Sequence, residues 1–245
     1  IGVRPMTRRL AIVPARGGSK RIPRKNIRDF CGKPMIGHIL DTVDKSNLFE
    51  TVHISTEDQE VADIVTPLGF EPEFLRPDNL AGDDVPIMPV LKFVCEKFSE
   101  NGHSFDEIWL LMACAPLIDV ADLEGAARLF AKHEGRHSML AVCDYAVPIE
   151  WAFEMSPDGI LHPCQPGMFA VRSNDLAPKY HDSGTFAVFS PGTVLSSEGA
   201  GADKGFLGYP LSRAHGLDID TMEDWAVAEA LFRAKTQSEP ETSRK

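Results

Sequence analysis

The sequence predicts an α/β protein built on a mostly parallel sheet with helices on both faces. Three observations carry this. Short apolar runs alternate with amphipathic stretches along most of the 245 residues, and a β-α-β-α order requires crossover connections and so parallel strands. The strand runs are continuously apolar, as strands covered on both faces are. A glycine-rich loop directly follows the first strand, where open α/β sheets hold their ligands.

Leu10–Ala15 (L-A-I-V-P-A) is the first strand, apolar and followed by glycines. Pro34 suits a first helical residue, and Ile36, Ile39, Leu40 and Val43 then recur at helical spacing. Thr51–Ser55 reads as a strand, and Glu57–Val65 as a helix ended near Pro67-Leu68-Gly69. Glu71–Leu75 is expected as a short strand and Val85–Phe98 as a helix. Ile108–Met112 is a strongly apolar strand, Val120–Lys132 a helix, and Ser138–Val142 a further strand. The rhythm then breaks. Residues 145–182 are rich in proline, glycine and aromatics, with a strand-like piece at Glu150–Met155, and read as an inserted arm. Alternation returns at Thr185–Phe189, at Gly205–Pro210 and in a last helix from Met222 to Lys235. One domain over residues 8–235, carrying that arm and a polar tail at 236–245 expected to fray, accounts for the chain.

Composition narrows the function classes. A net charge of −11 excludes a broad electrostatic grip on nucleic acid, so an anionic ligand needs a local basic cluster. Five scattered cysteines without a C-x-x-C pair read as reduced thiols, not a disulfide frame or zinc site. No apolar stretch approaches the roughly 20 residues of a membrane span, and the N-terminus lacks a signal-peptide core, so a cytoplasmic protein is expected. The histidines at 38, 53, 103, 133, 137, 162 and 215 show no metal spacing, and Trp109, Trp151 and Trp225 read as packing residues.

The local basic cluster lies in Pro14-Ala15-Arg16-Gly17-Gly18-Ser19-Lys20-Arg21-Ile22-Pro23-Arg24-Lys25-Asn26. Gly17 and Gly18 let the backbone approach an anion, and Arg16, Lys20, Arg21, Arg24 and Lys25 reverse the sign of an acidic protein. The loop fits neither G-x-x-x-x-G-K-[ST] nor G-x-G-x-x-G. Asp218 and Asp220 flank Ile219 just before the last helix. In extended chain both carboxylates share one face, two hard oxygen donors suited to Mg²⁺, with Ile219 turned inward. Thr221–Asp224 resembles a capping box for that helix.

The loop P-A-R-G-G-S-K-R-I-P-R-K-N-I closely resembles the signature of the acylneuraminate cytidylyltransferases. The likeness extends from about Leu10 to Phe232 through Ser55-Thr56-Glu57-Asp58, Leu75-Arg76-Pro77, Ala115-Pro116-Leu117 and Asp218-Ile219-Asp220-Thr221. It implies a Rossmann-like, GT-A-type nucleotidyltransferase fold and a homodimer joined through the arm. It also implies CMP transfer from CTP to an acidic nine-carbon sugar, with pyrophosphate released. By the same resemblance Ala15, Arg16, Gly17, Gly18, Ser19, Lys20, Lys25 and Asn26 hold the nucleotide, Arg16, Lys20 and Lys25 stabilise the leaving group, and Asp218 and Asp220 bind Mg²⁺.

The fourth strand ends in Met112-Ala113-Cys114-Ala115-Pro116-Leu117-Ile118, where sialic acid members carry a Q-P-T-S-P-L-R-like segment. That difference, with R-I-P-R-K-N in the loop and Tyr180-His181-Asp182-Ser183-Gly184, resembles the pseudaminic acid branch. Tyr180, His181 and Asp182 are candidates to read the sugar, and Arg76, expected on the surface, to pair with its carboxylate. N-acylneuraminate, legionaminate and deoxyoctulosonate enzymes are the alternatives within the family, the last carrying a different glycine loop. A protein that binds CTP or a CMP-sugar without chemistry is the alternative outside it.

Overall fold

The computed structural model describes residues 7–199, 201 and 205–238. In chain order the elements are β1 (Arg9–Pro14), the two-residue strands β2 (Asp29–Phe30) and β3 (Lys33–Pro34), α1 (Met35–Ser46), β4 (Thr51–Ser55), α2 (Gln59–Val65) and α3 (Ile87–Glu100). There follow β5 (Glu107–Leu111), α4 (Val120–Lys132), β6 (Met139–Asp144), the hairpin strands β7 (Phe153–Met155) and β8 (Leu161–Pro163), and β9 (Tyr180–Phe189). The chain ends with α5 (Pro191–Leu195), β10 (Leu207–Pro210) and α6 (Met222–Ser238). The main sheet has six strands in the order β10-β6-β9-β5-β1-β4. All pairings are parallel except those of β9, which runs antiparallel to β5 and β6.

Alternation along β1 builds the core on both sides. Ala11 and Val13 pack with Ile36, Leu40, Leu123 and Phe130 of α1 and α4, while Leu10 and Ile12 pack with Leu91, Val94 and Phe98 of α3. A third cluster seats α6, joining Ile22, Phe30, Cys114, Leu117, Ile219, Trp225 and Ala228. It anchors two segments remote in sequence. Ile22, in the glycine-rich loop, is 1% exposed, and Ile219, between the two aspartates, is 0% exposed. Burying two isoleucines is worth about 1.5–3 kcal/mol each, so the loop and the aspartates are fixed to the same small core.

Several expectations are corrected. Residues 71–75 form no strand; Pro72 removes a ladder donor, and Phe74 instead stacks on His53 with ring centroids 4.3 Å apart. Pro34 is the N-cap of α1, not its first helical residue. The last helix runs on to Ser238, so residues 236–238 of the expected frayed tail are helical, and 239–245 lie outside the described residues. Residues 145–179 contain short 3₁₀ turns and the β7–β8 hairpin, whose residues are all exposed. No helix among the described residues is long and apolar enough to cross a membrane.

Candidate active site

A cavity of about 390 Å³ opens at the carboxyl ends of β1 and β5. The loop supplies Arg16, Ser19, Lys20, Arg21, Lys25 and Asn26 to one wall, and Asp218 and Asp220 stand on another. Ala15, by contrast, is fully buried, its N–H donating to Ser55 O at 3.0 Å. Asn26 holds the loop by donating from Nδ2 to Arg16 O at 3.1 Å. Gly17 and Gly18 are not equivalent. A Cβ on Gly17 would overlap the Asp58 carboxylate, whereas one on Gly18 meets nothing within 4 Å.

Each of the five loop cations already faces a carboxylate. Arg16 and Lys20 share Asp83, which holds the Lys20 ammonium above its usual range and is itself lowered by Lys20 and then Arg16. Arg21 meets Asp220 at 2.8 Å, and Lys25 reaches it at 3.5 Å while donating to Ile219 O at 2.7 Å. Arg24 pairs with Asp58 at 2.5 Å and with Glu60. These contacts are all partly open to water and contribute modestly to stability, so an incoming polyanion can exchange with them. Asp83, Asp58 and Glu60 escape sequence reading as partners because single acids in loops and helix starts carry no periodic signal.

Asp218 differs from its neighbours. Among the described residues no hydrogen bond or ion pair reaches its carboxylate. Burial first, and then the charge of Asp220, raise its pKa above the usual carboxylate range. Gly184, in the irregular stretch of the β6–β9 pairing, has φ +64° and lies so close that a Cβ there would be 3.0 Å from Asp218 Oδ2. Thr221 and Asp224 form a reciprocal cap: the Asp224 N–H donates to Thr221 Oγ1 at 3.2 Å, and the Thr221 N–H to Asp224 Oδ2 at 2.7 Å. Capping therefore leaves Asp218 and Asp220 facing the cavity.

A second, mostly apolar cavity of about 810 Å³ adjoins the first and shares Ile87, Met112 and Gly184 with it. Asp182 lines this larger cavity, its Oδ1 accepting from Gly184 N at 2.9 Å. Tyr180 and His181 are not among its lining residues; they sit farther along β9 beside Asp144 and Cys143 of β6, with the His181 ring 5.0 Å from that of Tyr145. Arg76, expected on the surface, has a side chain only 4% exposed and is ion-paired with Glu57 at 2.6 Å, at the edge of the smaller cavity. His215 lies 2.7 Å from Asp122 and near Asp119, a grouping that sequence spacing does not predict. Those two carboxylates already form the capping box of α4, and Lys235 approaches Asp119 at 3.8 Å.

Cations facing oxygen donors at the carboxyl edge of a mostly parallel sheet are the working parts of a nucleotidyltransferase. The chain belongs, more narrowly, to the cytidylyltransferase family, whose description residues 10–97 match. A pseudaminic acid cytidylyltransferase of Campylobacter jejuni subsp. jejuni serotype O:2 is 31% identical over 235 residues, covering 94% of this chain and 98% of the relative. A CMP-N,N'-diacetyllegionaminic acid synthase of Legionella pneumophila is 27% identical with the same coverage. Among solved structures, a CMP:2-keto-3-deoxy-manno-octonic acid synthetase complexed with CTP superimposes with a TM-score of 0.70 at 17% identity, covering 94% of this chain and all of that one. That likeness establishes a shared Rossmann-like α/β fold.

Proposed function

We propose that the protein transfers CMP from CTP to the anomeric hydroxyl of a nonulosonic acid, namely pseudaminic acid, and releases pyrophosphate. The observation that carries the reading is the meeting of the two cavities at Gly184, beside Asp218. A nucleotide in the smaller cavity and a sugar in the larger one bring an acceptor oxygen and an α-phosphorus together at that junction. The sugar oxygen bonds to the α-phosphorus, the bond from that phosphorus to the α–β bridging oxygen breaks with its electron pair leaving on pyrophosphate, and the hydroxyl proton passes to solvent.

Arg16 and Lys20, exchanging Asp83 for phosphate oxygens, stabilise the β and γ phosphates as charge develops on the leaving group. Lys25 ties the loop to the aspartate segment, and Ala15, Gly17, Gly18, Ser19 and Asn26 shape the seat of the nucleotide. Asp218 and Asp220 fit Mg²⁺: a carboxylate with no protein partner among the described residues, its pKa raised by desolvation and by the second carboxylate beside it, is an arrangement that a hard cation relieves. When bound, the cation supplies charge neutralisation and orientation at the phosphates.

The apolar larger cavity suits a deoxygenated, doubly acylated sugar, and the full-length likeness to a pseudaminic acid enzyme points the same way. We assign sugar contact first to Asp182, with Tyr180 and His181 at the arm end of β9 and Arg76 on the nucleotide side. The exposed apolar residues Val147, Phe153, Met155, Ile160, Leu161 and Phe169 support residues 145–182 as the contact of a homodimer. Free thiols at all five cysteines suit the cytoplasm. The test is nucleotide selectivity. With Mg²⁺ and acid sugars present, pyrophosphate appears with CTP and not with ATP, GTP or UTP. Folded protein that binds CTP without any release would favour a CTP-binding protein.

A further inference from the structure

The carboxylate of Glu57 joins two groups that belong to different walls of the nucleotide cavity. Its Oε1 accepts from the Gly17 N–H at 2.9 Å, and its Oε2 accepts from Arg76 Nη2 at 2.6 Å. Both side chains are well buried, at 17% and 4% exposure. Arg76 is also fixed through its backbone, the N–H donating to Thr56 O at 2.8 Å, while its Nε is buried without a hydrogen-bond partner among the described residues. The neighbouring acid Asp58 closes on the same glycine from the other side and holds Arg24, whose Nη1 lies 3.5 Å from Gly17 O. Gly17 is thus held at its N–H by Glu57 of the turn that follows β4, and at its carbonyl by Arg24 of its own loop, which Asp58 of that turn holds in place.

An amide in a glycine-rich loop is a natural donor to phosphate. Here a carboxylate takes that donor, and the carboxylate is itself held by a buried arginine. We propose that Glu57 and Arg76 are positioning residues, a buried relay that holds the glycine-rich loop in its nucleotide-ready shape through the Gly17 amide. The proposal rests on the nucleotide-binding reading of the loop. It assigns Arg76 an action through Glu57, in addition to whatever its free Nε meets in the cavity. The opposing possibility is that Glu57 competes with phosphate for the amide, in which case removing its charge would tighten CTP.

The test uses Glu57→Gln, Arg76→Gln and the double variant, in the full chain. Hydrogen exchange of the loop amides is read first, without nucleotide, so it holds or fails independently of the reaction. Among the described residues Arg76 makes no hydrogen bond or ion pair to the loop itself. Even so, Arg76→Gln is expected to speed exchange over residues 16–20 about tenfold, the change that losing about 1.4 kcal/mol of local stability produces, with exchange in β1 unchanged. KM for CTP rises by about 10- to 100-fold in either single variant while kcat changes far less, and the double variant is no worse than the weaker single one. Arg76→Lys, which keeps the charge but not the guanidinium fork, restores part of the loop protection and serves if Glu57→Gln does not fold. Unchanged loop exchange in Arg76→Gln, additive losses in the double variant, or a lower KM for CTP in Glu57→Gln would each overturn the relay.

Discussion

Gly17→Ala gives a sharp test of how the loop is held, because the adjacent Gly18→Ala is its internal control. A Cβ at residue 17 would overlap the Asp58 carboxylate and come 2.9 Å from Arg24 Nη1. Asp58 can swing away, but only by giving up two contacts. It caps α2 by accepting from the Glu60 N–H at 2.9 Å, worth about 1 kcal/mol. It also pairs with Arg24, an interaction partly open to water and worth at most about 1 kcal/mol. The sum is about 1–2 kcal/mol, or a fall in Tm of about 2–8 °C for a chain of this size. The Arg24 contact also lowers the pKa of Asp58, so the loss should be smaller in acid, where that carboxylate is protonated in the unfolded chain. Gly18→Ala meets nothing within 4 Å and should change stability by less than about 0.5 kcal/mol. The assay is a pair of thermal melts with KM for CTP measured beside them. Equal melting temperatures and equal KM for the two variants would refute the packing argument.

Other outcomes follow from the same structure. Asp218→Asn removes a charge that burial disfavours, so the ligand-free protein should melt no lower than wild type while turnover falls by about 100-fold or more; a lower Tm with intact turnover would contradict it. Gly184→Ala should also lower turnover, since its Cβ would press on Asp218 Oδ2 from a left-handed backbone position, and this is read by single-turnover kinetics. His53 is 2% exposed, neither ring nitrogen has a hydrogen-bond partner among the described residues, and burial lowers its pKa from 6.5 to about 4. The unfolded chain therefore takes up a proton first, and stability should fall by about 3 kcal/mol as pH drops from 6.5 to 4. His53→Phe should flatten that part of a denaturation profile. If the proposed homodimer forms through the exposed β7–β8 hairpin, Met155→Lys combined with Leu161→Lys should give a monomer by light scattering without loss of secondary structure.

Much of the sheet was legible because β1 and β5 are nearly continuous apolar runs and the elements between strands carry helical periodicity. Thr51–Ser55 and Val120–Lys132 coincide with their elements residue for residue, and β5 differs from its expected span by a single residue at each end. Legibility failed where side-chain packing and pairing direction decide. Phe74 reads as a strand residue but serves as a partner for the buried His53 ring. The antiparallel course of β9 comes from its pairing with β5 and β6 across the whole arm, which no local pattern encodes. At the site, the clustered cations and the alternating aspartates were visible because repetition in a short span is a sequence signal. Their partners were not. Glu57, Asp83 and Gly184 act through positions 40, 67 and 34 residues away from Gly17, Arg16 and Asp218, respectively, distances that only the fold closes.

The most direct measurement is pyrophosphate release from CTP with Mg²⁺ in parallel reactions containing pseudaminate, N,N'-diacetyllegionaminate or N-acetylneuraminate, with the CMP-sugar identified by mass. The account predicts turnover with pseudaminate far above the other two. Equal or higher turnover with N-acetylneuraminate would contradict the assignment of the apolar cavity, and no release with any acid sugar from folded, CTP-binding protein would contradict the proposed reaction itself.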